Sequence, residues 1–193
     1  MMSRPPEPNA RLFVALPLPE QLKAKMETEM EQLRKELSFQ KWVHPQDLHL
    51  TLVFLGDTAP EAVEGIIAQL KEAVGGHRPF PLGLKEAGVF GQPNSPRVLW
   101  AGVDGALEAL KSLQADISSR LQTVGYVPES RPYSPHLTLA RRYTGSEPLP
   151  REALAAFSAG EPAYQWTADR VVLYQTRLNR LPMYEELASI PLS

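Results

Sequence analysis

The tetrapeptide His-Leu-Thr-Leu occurs at residues 49–52 and again at 136–139, in a chain with four histidines in all. A β-strand turns successive side chains to opposite faces, so residues two apart share a face. His49 and Thr51 therefore look one way and Leu50 and Leu52 the other, and His136 and Thr138 stand in the same relation to Leu137 and Leu139. A chain that carries this pattern twice is constrained to bury two strands by their leucines and to turn two imidazoles and two hydroxyls outward. Related by a pseudo-twofold axis, the two strands would wall one cavity with paired histidines and paired threonines.

The remaining periodicity alternates between strand-like and helix-like segments. Residues 11–18, "RLFVALPL", form a short apolar run expected to be a buried strand. Over 19–37, Leu22, Met26, Met30 and Leu33 recur at spacings of three to four behind an initial proline, which predicts an amphipathic helix. Residues 47–56 alternate and stop at glycine as a strand would, and 59–76 read as a second helix ending in Gly-Gly. Two strands, 80–90 and 97–103, flank the turn-rich "GQPNSP". A third helix is expected over 105–124, with Leu107, Leu110, Leu113, Ile117 and Leu121 on one side. A strand over 134–141, a short helix over 151–157 and closing strands over 169–178 and 183–192 complete the chain.

This order suggests an approximate internal duplication of one α+β unit, each copy supplying one HLTL strand. The helices are too few for a doubly wound parallel sheet. The expected fold class is therefore α+β: two pseudo-symmetric lobes of mainly antiparallel sheet, helices on the outer side, and a central catalytic cleft. Residues 1–10, "MMSRPPEPNA", are expected to be a flexible N-terminal segment and 11–193 a single two-lobed domain.

Composition narrows the chemistry. Lys plus Arg is 20 against 22 for Asp plus Glu, a formal charge of −2, so any attraction to phosphate must be local. The absence of cysteine excludes disulfides, thiolate metal sites and a cysteine nucleophile. No segment approaches the about 18 consecutive apolar residues needed to cross a bilayer. A cytoplasmic monomer is expected, with no membrane partner and no obligate protein partner.

Two histidines without a nearby third ligand make a poor zinc site, and Asp47 and Asp57 sit only at strand ends, so neither metal nor other cofactor is expected. Facing one cleft, the same pair suits phosphodiester chemistry, since imidazole titrates near neutrality and one ring can start neutral while the other starts protonated. In-line displacement at phosphorus puts nucleophile and leaving group on opposite sides, which calls for two groups from opposed strands. The threonine hydroxyls would hydrogen-bond the non-bridging oxygens. "RPYSPHLTLARR" supplies Arg131, Arg141 and Arg142, of which Arg141 is the expected phosphate clamp. Five residues after His136 it would face away on an unbroken strand, so a bulge or the strand end must turn it inward. His44 reads as structural or a cleft-edge contact, His77 as a surface turn, and Trp42 and Trp100 as core. Trp42, Tyr133 and Phe54 flank the motifs, where an exposed aromatic would stack a terminal base.

"HLTLVFLG" and "PHLTLARR", with "RLFVALPLP", "SPRVLWAGV" and "LYQTRL", resemble the two-histidine phosphoesterase superfamily and, within it, the RNA 2′,3′-cyclic phosphodiesterases, also named 2′-5′ RNA ligases. The resemblance spans about residues 11–191. It implies metal-independent hydrolysis of a 2′,3′-cyclic phosphate to a 2′-phosphate at RNA ends, and a reverse activity joining ends through a 2′-5′ linkage. His49 and Thr51 match the first motif, His136 and Thr138 the second, Arg141 the arginine after the second and Phe54 the aromatic after the first. The family's assignment makes His49 the acid and His136 the base; the near-symmetry of the motifs leaves the opposite assignment open. Thr176 stands where the family commonly has Ser, and keeps a hydroxyl. Alternatives are a small cyclic nucleotide such as ADP-ribose 1″,2″-cyclic phosphate as substrate, or a non-catalytic binder of phosphorylated RNA ends.

Overall fold

A computed structural model describes residues 8–155, 157 and 164–193. Strand β1 (Ala10–Pro17) leads through Pro19 into helix α1 (Glu20–Glu36), whose buried face is Leu22, Met26, Met30 and Leu33, as the spacing predicts. Strand β2 (Phe39–Trp42) and a short 3-10 turn at Pro45–Asp47 precede β3 (His49–Thr58). Helix α2 (Val63–Val74), the hairpin β4 (Phe80–Gln92) and β5 (Ser95–Gly105), and helix α3 (Leu107–Leu121) follow. The second half adds β6 (His136–Tyr143), α4 (Arg151–Ala155), β7 (Gln165–Ala168), β8 (Arg170–Thr176) and β9 (Tyr184–Pro191). The expected N-terminal segment lies outside the described residues over 1–7, and Ala10 already belongs to β1; the end of the expected 151–157 helix falls partly on residue 156, also outside them.

The strands form two antiparallel sheets, ordered β3-β1-β8-β9 and β2-β6-β5-β4-β7. The fold is the expected α+β class, and each sheet holds one HLTL strand. The lobes are not consecutive halves of the chain, however: β8 and β9 return to pair beside β1, while the β4–β5 hairpin crosses to β6. Linear order therefore misleads about which strands are neighbours. A large core cluster takes residues from both sheets and all four helices, including Leu12, Val14 and Leu16 of β1. The other face of β1 contributes Phe13 and Ala15 to a smaller cluster with Val172, Tyr174 and the partly buried Tyr184.

Several local expectations are corrected. The third strand does not end at Gly56 but runs to Thr58; Gly56 takes a positive φ of 71° at a bulge opposite Leu12 and Phe13, a conformation open to glycine. Leu107 is only half-buried at the start of α3. His77 does sit in a turn, but its Nε2 lies 2.7 Å from Asp116 Oδ2, tying that turn to α3. Trp100 belongs to neither buried cluster, because Leu99, Ala101 and Val103 point into the core and Trp100 alternates with them. Its ring lies over Gly88, where a Cβ would come within 2.4 Å of it.

Candidate active site

Burial decides the orientation of both HLTL strands. Leu50, Leu52 and Val53 in β3, and Leu137, Leu139 and Ala140 in β6, are all at most 3% exposed. A buried leucine stabilises by about 2 kcal/mol, so turning either strand over would cost several kcal/mol. His49, Thr51, His136 and Thr138 consequently occupy the opposite faces, each half-buried.

In both strands two consecutive apolar residues follow the threonine, Leu52 with Val53 and Leu139 with Ala140, and both are buried where strict alternation would expose one. The register explains this. In β3, Val53 pairs with Val14 and Thr51 with Ala15, leaving Leu52 unpaired; in β6, Ala140 pairs with Leu99 and Thr138 with Trp100, leaving Leu139 unpaired. Each is a one-residue bulge, which returns the next side chain to the face of the histidine and threonine. The side chains returned are Phe54 and Arg141, the residues five positions after each histidine. Arg141 is exposed, and its charge acts on His49 and on Tyr184, so it lies toward the first motif as well as beside the second. Phe54 is 57% exposed.

The two imidazoles are held alike. His49 Nδ1 is 2.7 Å from the Asp47 carbonyl and His136 Nδ1 is 2.8 Å from the Ser134 carbonyl. A carbonyl only accepts, so in each ring Nδ1 carries the proton and Nε2 is left for chemistry. His49 Nε2 meets Thr51 Oγ1 at 3.0 Å. Their surroundings differ. The His49 ring packs against Phe13 at 4.7 Å and edge-on to Tyr184 at 5.1 Å, and His136 stands edge-on to Phe90 at 5.0 Å. Burial pushes His49 down to about 4; the Asp47 carbonyl bond and carboxylate oppose this, and Arg141 and Lys23 reinforce it. Burial likewise raises Tyr174 to about 12 and raises Tyr133 and Tyr184, so these phenols stay neutral.

The two motif strands approach one another across the sheets, and Tyr133 OH donates to the Thr51 carbonyl at 2.8 Å, linking the segment before β6 to β3. A cavity of about 670 Å³ opens beside them, lined by Thr51, Phe54, Phe90, Arg97, Arg131 and His136 among others. His49, Thr138 and Arg141 are not part of its lining. Arg131 is exposed at this cavity, and Arg142, at a φ of 61°, engages Gln40 of β2. His44 caps the 3-10 turn, its Nδ1 accepting from Gln46 N. Trp42 is half-buried against Phe39, with the Arg34 guanidinium over its ring, and Thr176 lies opposite Tyr184.

Near the histidines the structure adds Lys85, to which the sequence pattern gives no signal, and a different place for Asp47, which is expected only at a strand end. Lys85, Gly102 and His136 lie in one row across β4, β5 and β6. A Cβ on Gly102 would sit 2.9 Å from Lys85 Cγ and 3.1 Å from its Cε, so the lysine stem crosses the glycine toward His136. Only strand register reveals this. Asp47, two residues before His49, has a side chain with partners at the start of β9.

Paired His-x-Thr strands of opposed sheets, with an arginine returned to the same face, are the arrangement of a two-histidine phosphoesterase. Residues 19–180 match the model of the 2′-5′ RNA ligase superfamily, and the chain belongs to that family. It is 35% identical to a Bacillus subtilis protein named RNA 2′,3′-cyclic phosphodiesterase, over 97% of this chain and 100% of the relative. A Geobacillus stearothermophilus protein of the same name is 33% identical over 93% of this chain, which spans 56% of that relative's length. The crystal structure of E. coli LigT complexed with 3′-AMP superposes with a TM-score of 0.77 at 24% identity, covering 96% of this chain and 99% of that one, a likeness of fold. Among the described residues no helix is long and apolar enough to cross a membrane, and no cluster of three metal-ligating side chains occurs.

Proposed function

We propose that this protein hydrolyses the 2′,3′-cyclic phosphate at an RNA end to a 2′-phosphate, using two histidines as acid and base. The observation that carries this reading is the shared tautomer: in each ring Nδ1–H is tied to the carbonyl two residues before it, which frees both Nε2 atoms for proton transfer. Water attacks phosphorus as His136 Nε2 takes its proton; the P–O3′ bond breaks as His49 delivers a proton to O3′, leaving a 3′-hydroxyl and a 2′-phosphate. Thr51 and Thr138 hydrogen-bond the non-bridging oxygens, and the Arg141 guanidinium balances their charge. Phe54, exposed on the same face, stacks the terminal base. Imidazoles and guanidinium supply both proton transfers and the counter-charge, so no step calls for a metal.

Burial keeps His49 neutral in the unliganded cleft, so an acid role requires that it gain its proton with the substrate. The anionic phosphate arriving at Nε2 favours the imidazolium and opposes desolvation. If the 5′-hydroxyl of a second RNA takes the place of water, the same displacement joins the two through a 2′-5′ linkage. The test is product analysis on a short RNA ending in a 2′,3′-cyclic phosphate, with and without EDTA. A 2′-phosphate product is expected from wild type, and none from His49→Ala or His136→Ala. A 3′-phosphate product, loss of activity with EDTA, or full activity in either variant would overturn the reading.

A further inference from the structure

We propose that Asp47 is the positioning residue of His49, holding the ring through its own main chain while its carboxylate locks the start of β9 beside the ring. The inference rests on the acid–base reading of His49, which it deepens.

Asp47 is 4% exposed, and with Thr58 it is one of two buried polar residues among the described residues. A buried carboxylate is costly unless its oxygens are satisfied. Here both are: Oδ2 accepts from Met183 N at 2.8 Å and Oδ1 from Tyr184 N at 3.1 Å. These donors lie at the start of β9, more than 130 residues further along the chain. The Asp47 carbonyl meanwhile accepts from His49 Nδ1 at 2.7 Å, and its N–H donates to the His44 carbonyl at 2.8 Å, closing the 3-10 turn. One residue thus fixes the tautomer of the imidazole and anchors Tyr184, whose ring stands edge-on to that imidazole.

Its charge has a second effect. The charged groups acting on His49 are Asp47, Arg141 and Lys23, and the neighbouring phenols of Tyr174 and Tyr184 are neutral. Asp47 is the one anionic side chain among them, so of these protein charges it alone favours the imidazolium, against two cations and burial. A carboxylate is required on geometric grounds as well: an asparagine has one accepting oxygen for two backbone donors, and its amide would point N–H at N–H.

The experiment compares wild type with Asp47→Asn and Asp47→Ala, reading the His49 tautomer and titration by NMR of the imidazole nitrogens alongside kcat and KM on a cyclic-phosphate-ended RNA. The asparagine variant is expected to stay folded, since it keeps the side-chain volume and one of the two hydrogen bonds. Its His49 should titrate below the wild-type midpoint or stay neutral throughout the folded range. Its kcat should fall at least about tenfold while KM changes less than about threefold. The alanine variant should lose more activity, or unfold, in which case the asparagine variant decides. An unchanged tautomer and titration with kcat within about twofold of wild type would overturn the proposal. So would a loss of activity that merely follows the unfolded fraction while His49 titrates as in wild type. Because the NMR readout needs no substrate, absence of hydrolysis in wild type would refute the function proposed above and still leave the positioning role decided.

Discussion

His49 carries a stability signature that is separable from its chemistry. Burial holds its folded-state value at about 4, against 6.5 for a free imidazole. Between those values the unfolded chain takes up a proton that the folded protein refuses, so stability from this site is complete above 6.5 and is lost as pH falls toward 4. A difference of about 2.5 units at 1.36 kcal/mol each amounts to about 3 kcal/mol. Other groups titrate in the same window, so the site must be isolated by difference. His49→Asn serves, because asparagine Nδ2 keeps the donor that meets the Asp47 carbonyl at 2.7 Å in wild type, and is neutral at every pH. Urea unfolding of both proteins at pH 7, 5.5 and 4 gives two stability curves. The gap between them should change by about 3 kcal/mol from pH 7 to pH 4, to the disadvantage of wild type, or roughly 1 to 2 M in midpoint. Parallel curves would refute the burial argument.

If His49 is the acid, the same ionisation should appear in binding. A phosphate-bearing product must protonate His49 to gain its charge-assisted hydrogen bond, so calorimetric titration with a 2′-phosphate nucleotide at pH 7 should show close to one proton taken up per site. The measurement is the dependence of the heat on buffer ionisation enthalpy. No proton uptake would place the acid elsewhere.

The acid and base are assigned by a substrate whose 3′ bridging oxygen is replaced by sulfur: the thiolate leaves without an acid, so His49→Ala should recover most wild-type turnover and His136→Ala should stay inactive, and the reverse pattern would exchange the roles. Tyr133→Phe removes the 2.8 Å bond to the Thr51 carbonyl and should cost about 1 kcal/mol, seen as a melting point lower by about 2–4 °C, with an unchanged melting point showing that the link contributes nothing. Lys85→Met keeps the stem across Gly102 and removes the charge; on an oligonucleotide substrate KM should rise a few-fold and the slope of log affinity against log salt should shrink by about 1, whereas an unchanged salt slope would mean that Lys85 meets no phosphate.

What could be read in the linear chain was whatever a single strand or helix settles by its own periodicity. The faces of α1, β3 and β6 follow from apolar spacing alone, and the β4–β5 hairpin from its turn residues. Strands β2 and β7 escaped notice because each is four residues long at the edge of a sheet, and "FQKW" exposes two polar side chains; pairing with β6 and β4 defines them, not their own pattern. Trp100 was misplaced because an apolar run conceals which of its members alternate inward. Asp47 looked like a strand end, and only the return of β9 beside His49 gives its carboxylate two donors.

The bulges stand between these cases. A phosphate held by His and Thr needs a third group on the same face, and a spacing of five places that group on the wrong one. Inserting one residue into the pairing corrects the parity, and the core supplies the driving force, since Leu139 with Ala140, like Leu52 with Val53, can then both be buried. Two adjacent apolar residues directly after a His-x-Thr alternation are thus a legible sign of the bulge, present in both copies. The same device delivers unlike residues: a guanidinium follows the strand of His136 and an aromatic ring the strand of His49. One backbone geometry, used twice, thereby gives a cleft whose two walls differ in charge, burial and what they offer a nucleotide. That asymmetry, absent from the repeated tetrapeptide itself, is what sets two otherwise matching histidines in different surroundings.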